Sequence, residues 1–362
     1  MKKPLILVDG HVLDGPPQGT STHIIGLYGG VARRGAAEVL IAAEREDSVA
    51  RVFPDCDGVK WVPLDTANKY RRLAVGFDRL ADRYRPDFIH FQYIAPLRKR
   101  ARWIVSVHDV LFLDLPQYFP LRYRLQNRLL FGISANRADI VLTVSEYSRD
   151  AISRHFGIPR QDIAITTNGL GSFSDIDPKP VAGLRPGRFF VYVSRFEPRK
   201  NQDGLIGALR GMSDELPPDC QLVLIGNPAL PYPELDAELA AAGPLVRRLS
   251  NLSFAELVWL YRNAAAALYA SFAEGFGIPP LEAVAAGGRS YAAANTAMNE
   301  ISGYLDGTFD AGDTGDIQRV VREILETPDH TPDPTRRLRA LEDFSWGHSA
   351  DALLASIHRL DK

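Results

Sequence analysis

The chain has 362 residues, 46% hydrophobic and 24% charged, with a formal net charge of −2. That size and balance suit two soluble globular domains and exclude a disordered or fibrous chain. Charge is uneven, with 24 basic against 20 acidic residues over 1–178 and 18 against 24 over 179–362, so the halves differ in character.

The N-terminus "MKKPLILVDG" begins like a signal peptide, but its apolar run stops at Asp9, and no run of 18 apolar residues follows. Cys56 and Cys220 are the only cysteines, without metal-ligand spacing, which points to a reducing compartment and away from zinc. A cytosolic protein is expected. In chain order, "PLILVDG", "FIHFQ", "RWIVSVHD", "DIVLTVS", "FFVYVSR", "CQLVLIGN" and "AALYAS" are short apolar runs separated by longer helical patterns. Strands apolar on both faces, with helices between them, predict a doubly wound parallel sheet, and the pattern occurs twice. The Gly-, Pro-, Ser- and Asp-rich stretch 168–188 carries neither hydrophobic period and is expected to be the hinge.

Open parallel sheets bind ligands at the carboxyl ends of their strands. There the first half offers "VDGHVLDGPPQGTSTHI", which lacks a G-x-G-x-x-G fingerprint, and the chain has no G-K-[ST] phosphate loop. A dehydrogenase and a P-loop enzyme are therefore disfavoured. In the second half "FAEGFGIPPLEA" follows a strand, with Glu274 and Glu282 on either side of Gly275, Gly277 and two prolines. The spacing predicts a helix starting near Pro279 or Pro280, with Glu282 in its first turn and a glycine-eased anion site at its N-terminus. A phosphate there, flanked by two carboxylates, would suit a ligand with hydroxyls at both ends. Read alone, Glu282 equally complements a helix dipole and Glu274 a loop surface. "VYVSRFEPRKN" adds Arg195 and Lys200 just past another strand end, where the topology predicts an anionic ligand.

These residues carry a resemblance. The stretch Glu274 to Glu282 resembles the E-x7-E motif of glycosyltransferase family 4, and "SRFEPRKN" resembles its diphosphate-binding segment. "QGTSTHIIGLY", "VSVHDVLFLDLPQYF", "ADIVLTVSEYSRDAI" and "LVWLYRNAAAALYASFAEGFGIPPLEAVAAGG" are similar to that family in order and spacing. The resemblance implies an α/β GT-B fold of two Rossmann-like domains facing across a cleft. The expected boundaries are 1–175 for the acceptor side, 176–345 for the donor nucleotide, and 346–362 for a C-terminal helix returning to the first domain. It implies retaining transfer of a hexose from a nucleotide-diphosphate sugar, GDP-mannose being favoured, without metal. By the same resemblance, Arg195 and Lys200 bind the diphosphate, Glu282 the ribose, and Glu274 and His108 the transferred sugar. Gly275, Phe276, Gly277 and Leu281 line the donor site, and Gly19 and Thr20, in a first loop, approach the diphosphate from the opposite side. The segment "GGRSYAAANTAMNEI", with Arg289 and Ser290, departs from the family pattern and leaves the sugar open. A GT-B epimerase, a phosphorylase or a binding-only homologue stand as alternatives. The implied acceptor is a glycan of cell-surface polysaccharide or lipopolysaccharide synthesis; nucleic acid is not among the expected partners.

Residues 66–131 hold 13 basic against 5 acidic residues. Helical spacing predicts Tyr70, Leu73, Phe77, Leu80 and Tyr84 in the core and Arg71, Arg72, Arg79 and Arg83 outside. With "RKRAR" at 98–102, they form a basic face suited to anionic headgroups, and a lipid-linked acceptor at the inner membrane face is expected.

Overall fold

A computed structural model describes residues 3–360 except 17, 55, 66, 67, 172, 174, 175 and 330. The chain divides into two compact units, Met1–Gly169 with Phe344–Lys362, and Leu170–Asp343. The domain edge expected at 175 lies outside the described residues, and the second crossover falls at 343/344 rather than 345/346.

The first unit is built on a seven-stranded parallel sheet in the order β3-β2-β1-β4-β5-β6-β7. Its strands are β1 (Leu5–Asp9), β2 (Glu38–Ala43), β3 (Val59–Pro63), β4 (Phe88–Gln92), β5 (Arg102–Ser106), β6 (Ile140–Thr143) and β7 (Ile163–Ile165). Alternation in β1 sends Ile6 and Val8 to one buried layer and Leu7 to the other, so the strand is apolar throughout because both faces are covered. The helix Trp346–Leu360 belongs to this unit and packs along the helix Gly19–Arg33. A Cβ on Gly26 would fall 1.9 Å from the Trp346 indole, so glycine is what lets the two helices meet there.

The second unit is a six-stranded parallel sheet in the order β10-β9-β8-β11-β12-β13. Here β8 is Phe189–Val193, β9 Gln221–Ile225, β10 Val246–Leu249, β11 Ala266–Tyr269, β12 Ser290–Ala293 and β13 Gly307–Phe309. In both sheets the direction of winding reverses beside the first strand, between β1 and β4 and between β8 and β11. Those reversals are where ligand crevices form in this topology.

Seven of these strands match the apolar runs in the sequence. The others are edge strands, short strands or mixed in polarity: β10 is "VRRL", and β3, β7, β10 and β13 are all at sheet edges. The exception is β2, "EVLIAA", as apolar as the runs read as strands. The departure at Arg289 is structural. Its buried guanidinium donates to the Thr327 carbonyl at 2.9 Å and to Tyr291 Oη at 3.0 Å, closing off the end of the helix Thr314–Glu326.

The basic face differs from its expectation. Tyr70 is 77% exposed rather than in the core, while Phe77 and Leu80 are buried as predicted. Arg72 is buried rather than outside, its Nε 3.6 Å from Asp9 Oδ2. It opens a π-turn at Arg72–Gly76, which rotates the following side chains off simple helical spacing. Arg100 pairs with Asp78 at 3.3 Å, Arg98 with the same carboxylate at 3.7 Å, and Lys99 with Asp139 at 2.7 Å, so internal acids neutralise most of this segment.

Candidate functional site

In the second unit the segments after β8 and β11 lie side by side because their strands are neighbours. The chain leaves β8 through Ser194–Glu197, turns at Pro198–Lys200, and puts Asn201 at φ +53° before the helix Gln202–Arg210. Close approach by the next loop requires Gly226, whose Cβ would lie 2.0 Å from the Ser194 carbonyl oxygen. The turn directs Lys200 Nζ to Glu274 Oε1 at 2.5 Å and an Arg199 nitrogen to Glu274 Oε2 at 3.2 Å. Ser271 Oγ donates to Glu274 Oε1 at 2.7 Å, and Arg199 also pairs with Glu197 at 2.6 Å. The Tyr192 hydroxyl lies 2.6 Å from the Lys200 carbonyl and 2.8 Å from Ser271 Oγ, fixing both segments to the strand beneath.

This cluster is largely buried and charged. Burial pushes the Glu274 carboxyl up, but the Lys200 and Arg199 cations outweigh it and hold it at about 2. Burial, then Arg199, lowers Lys200, with Glu274 opposing. The result is a buried ammonium with an opposite charge in contact.

Arg195 does not join the cluster. Its side chain is 64% exposed, 3.8 Å from Glu197, at the rim. Arg199, which sequence reasoning passed over, takes the inner position. Its only signal was adjacency to Lys200 in a turn opened by proline.

Beyond Glu274 the chain turns through Gly275, Phe276 and Gly277 into the helix Ile278–Ala286. Gly277 has φ +114°, and a Cβ there would lie 2.7 Å from Ile301 Cδ1, so both conformation and space require glycine. Phe276 and Leu281 are buried, with their side chains in packing roles. Two expectations change here. The helix starts at Ile278, so Glu282 sits in the second turn rather than the first. Pro279 and Pro280 lack N–H groups, so the first turn offers fewer anion donors than an ordinary helix start. Glu282 is instead a half-buried carboxyl raised by desolvation to about 7, with the Tyr261 hydroxyl donating to it at 3.3 Å.

In the first unit His108 follows β5, and the Gln92–Ser106 register sets its surroundings. The hydrogen bonds there determine protonation. Ser106 Oγ and Gln92 Nε2 both approach His90 Nε2, at 2.8 and 3.3 Å, so that nitrogen accepts. His90 Nδ1–H therefore donates to Tyr28 Oη at 2.6 Å. Gln92 Oε1 then accepts from His108 Nε2–H at 2.7 Å, leaving His108 Nδ1 as a lone-pair acceptor. The His23 and His108 rings meet edge to face at 4.8 Å. Burial lowers His23 to about 4, His90 to about 3 and His108 well below its usual range, so all three are neutral at pH 7. Gly19 and Thr20 are not in a loop but are the first residues of the helix Gly19–Arg33, and no atom lies within 4 Å of a Cβ placed on Gly19.

A second polar group at a strand end was missed in the sequence. Asp9, at the end of β1 and buried, accepts from His11 Nδ1 at 2.8 Å, with Arg72 on its other oxygen. The signal was present in "LVDGH". Among the described residues no group of three His, Cys, Asp or Glu could hold a metal ion.

The model of Glycosyltransferase Family 4 matches residues 17–170, and that of Glycosyl transferases group 1 matches residues 179–331. The chain is similar to O-antigen chain mannosyltransferase B of Escherichia coli, 29% identical over 68% of this chain and 67% of that one. It is also similar to O-antigen chain mannosyltransferase RfbU of Salmonella typhimurium, 29% identical over 50% of this chain and 49% of that one. Against serotype-specific mannosyltransferase WbdA of Escherichia coli, the match spans only 29% of the relative. Among solved structures, sucrose-phosphate synthase from Thermosynechococcus elongatus aligns over 99% of both chains with a TM-score of 0.76 at 17% identity. Anabaena HepE in complex with UDP-glucose aligns over 98% of this chain and 99% of its own with a TM-score of 0.72 at 18% identity. With one family model over each half and the fold shared end to end, the chain belongs to the family 4 type of glycosyltransferases with the GT-B fold.

Proposed function

We propose that the chain transfers mannose, with retention, from GDP-mannose to a hydroxyl of a lipid-linked glycan in lipopolysaccharide or related surface-polysaccharide assembly. The relatives named as O-antigen mannosyltransferases support the sugar and the setting. The observation that carries the chemistry is the largely buried Lys200–Glu274–Arg199 cluster between the ends of β8 and β11.

In this reading the donor diphosphate binds Lys200, with Arg195 reaching from the rim. The anomeric carbon–oxygen bond to the β-phosphate breaks as the acceptor oxygen bonds to that carbon. The acceptor proton passes to the departing phosphate oxygen on the same face. Charge growing on the leaving group is met by cations already in place, which is where such stabilisation is most effective. Glu274 keeps Lys200 aimed and charged, and its remaining lone pairs face the transferred sugar. Glu282, once ionised, accepts from the ribose diol. His108 accepts a hydrogen bond from a sugar hydroxyl through Nδ1. Metal chemistry is not invoked, because two cations supply the positive charge. Peripheral contact with the inner membrane face belongs to the same proposal; no described helix is long and apolar enough to cross a membrane.

A thermal-shift screen of GDP-, UDP-, dTDP- and ADP-sugars, followed by transfer assays with the stabilising donor, tests the reading. Selective stabilisation by GDP-mannose and acceptor-dependent GDP release are expected. Donor turnover without acceptor would indicate an epimerase. Nucleotide binding without transfer to any acceptor would indicate a binding-only protein.

A further inference from the structure

The helix Leu121–Arg137 presents an apolar stripe to solvent: Leu121, Leu125, Leu129 and Ile133 are each 40–62% exposed. Spaced four residues apart, they line one face over about 18 Å. A soluble helix normally turns such a stripe inward. This one instead buries Asn127, Phe131, Ser134 and Ala135 on its opposite side. The stripe borders a groove of about 450 Å³ that it shares with Phe156 and His155. The loop after β4 is tied along the helix by Ala95 N–H to Ser134 Oγ at 2.9 Å and Lys99 Nζ to the Arg137 carbonyl at 2.9 Å. Leu97 in that loop is 80% exposed.

Charge decides what covers this face. No acidic residue occurs between Asp114 and Asp139. Among the described residues, the side chains of Arg122, Arg124 and Arg128, set within and beside the stripe, form no ion pair. By contrast, Arg98, Lys99 and Arg100 already face Asp78 and Asp139. A second copy placed face to face would set these arginines against their counterparts. An apolar stripe flanked by uncompensated arginines matches a surface of apolar chains under anionic headgroups.

We propose that the helix Leu121–Arg137 docks on an anionic bilayer, with Leu121, Leu125, Leu129 and Ile133 entering the acyl boundary and Arg122, Arg124 and Arg128 binding lipid phosphates. This rests on the membrane-facing part of the proposed function and moves the contact from the 98–102 segment to this helix.

Sedimentation with phosphatidylcholine vesicles, with and without phosphatidylglycerol, tests it. The wild-type chain should bind only the anionic vesicles, and less as salt shortens the screening length from about 8 Å at physiological strength. L125S/L129S should weaken binding about tenfold or more, and R122Q/R124Q/R128Q about a hundredfold. R98Q/K99Q/R100Q should change it far less. Each variant is checked by nucleotide binding, which the substitutions leave unchanged and which reports folding and the donor site separately. No vesicle binding by wild type at low salt overturns the proposal. So does a larger loss from the 98–100 variant than from either helix variant, or a wild-type dimer that L125S/L129S dissociates.

Discussion

The two units share one topology yet place opposite chemistries at corresponding strand ends. Beside β8 and β11 the second unit buries charge: Lys200, Arg199, Glu197 and Glu274 within contact of each other, with Glu274 held down at about 2. Around β4 and β5 the first unit buries neutral rings, three histidines that burial keeps uncharged, two of which, His90 and His108, hydroxyls and an amide hold in single tautomers. A parallel sheet therefore fixes where a crevice forms but not what it recognises; residues just past the strands do that. One end suits a leaving group gaining negative charge, the other hydroxyls that need directional acceptors.

If the charged end carries the leaving group, Lys200→Ala should have the largest effect, reducing kcat/KM by about 3–4 kcal/mol in transition-state terms. Transfer by the wild type should persist in EDTA. Arg195→Ala, at the exposed rim, should cost clearly less. Steady-state kinetics of the two variants checks the ranking, and equal losses would put both residues on one footing.

The two glutamates sharpen the contrast within the second unit. Glu274→Gln removes the charge that keeps Lys200 protonated, so kcat should fall by about 2 kcal/mol with donor affinity changed less. Glu282→Gln should act chiefly on donor affinity. Losses in nucleotide affinity alone for both would refute the division.

Glu282 also predicts a pH dependence. Its folded value of about 7 lies above the ordinary carboxyl value, so the folded chain holds an extra proton between them, and this site's contribution to stability falls as pH rises through that window. In the proposed role, ribose binding needs the ionised form. Donor affinity should therefore rise as pH increases to 7, by about tenfold per unit below it, and flatten in Glu282→Gln. Calorimetric titration from acid to neutral pH reads this directly; a flat wild-type profile would show that the diol is held elsewhere.

The smallest effect is expected at the neutral end. Nitrogen-15 spectra of the histidine rings should show His108 as the Nε2–H tautomer. Gln92→Leu should mix tautomers and lower transfer only a few-fold, about 1 kcal/mol. An Nδ1–H wild-type ring would reverse the hydrogen-bond chain from Tyr28 to His108.

Much of this was legible in the sequence. Continuous apolar runs marked the central strands, because a parallel sheet covered on both faces leaves no polar alternation. The proline pair marked a helix start, and the residues after β8 and β11 marked the charged crevice. Edge strands such as "VRRL" escaped because half-covered strands need not be apolar. Arg195 was read at the inner position and Arg199 passed over because the direction in which a long side chain leaves a turn, inward or outward, is not fixed by spacing alone. The exposed stripe of the helix Leu121–Arg137 was illegible for a similar reason: in sequence it reads as a core-facing face, and only the fold shows it turned outward.

The central claim is that Lys200, aimed and kept charged by Glu274, binds the donor diphosphate. Calorimetric titration of GDP, with UDP as comparator, into wild type and Lys200→Ala in EDTA tests it most directly. The account predicts metal-free binding by wild type, weakened by about 1.5–3 kcal/mol in the variant, the range for hydrogen bonds to charged groups. Equal affinities, or binding that appears only with magnesium, would contradict it.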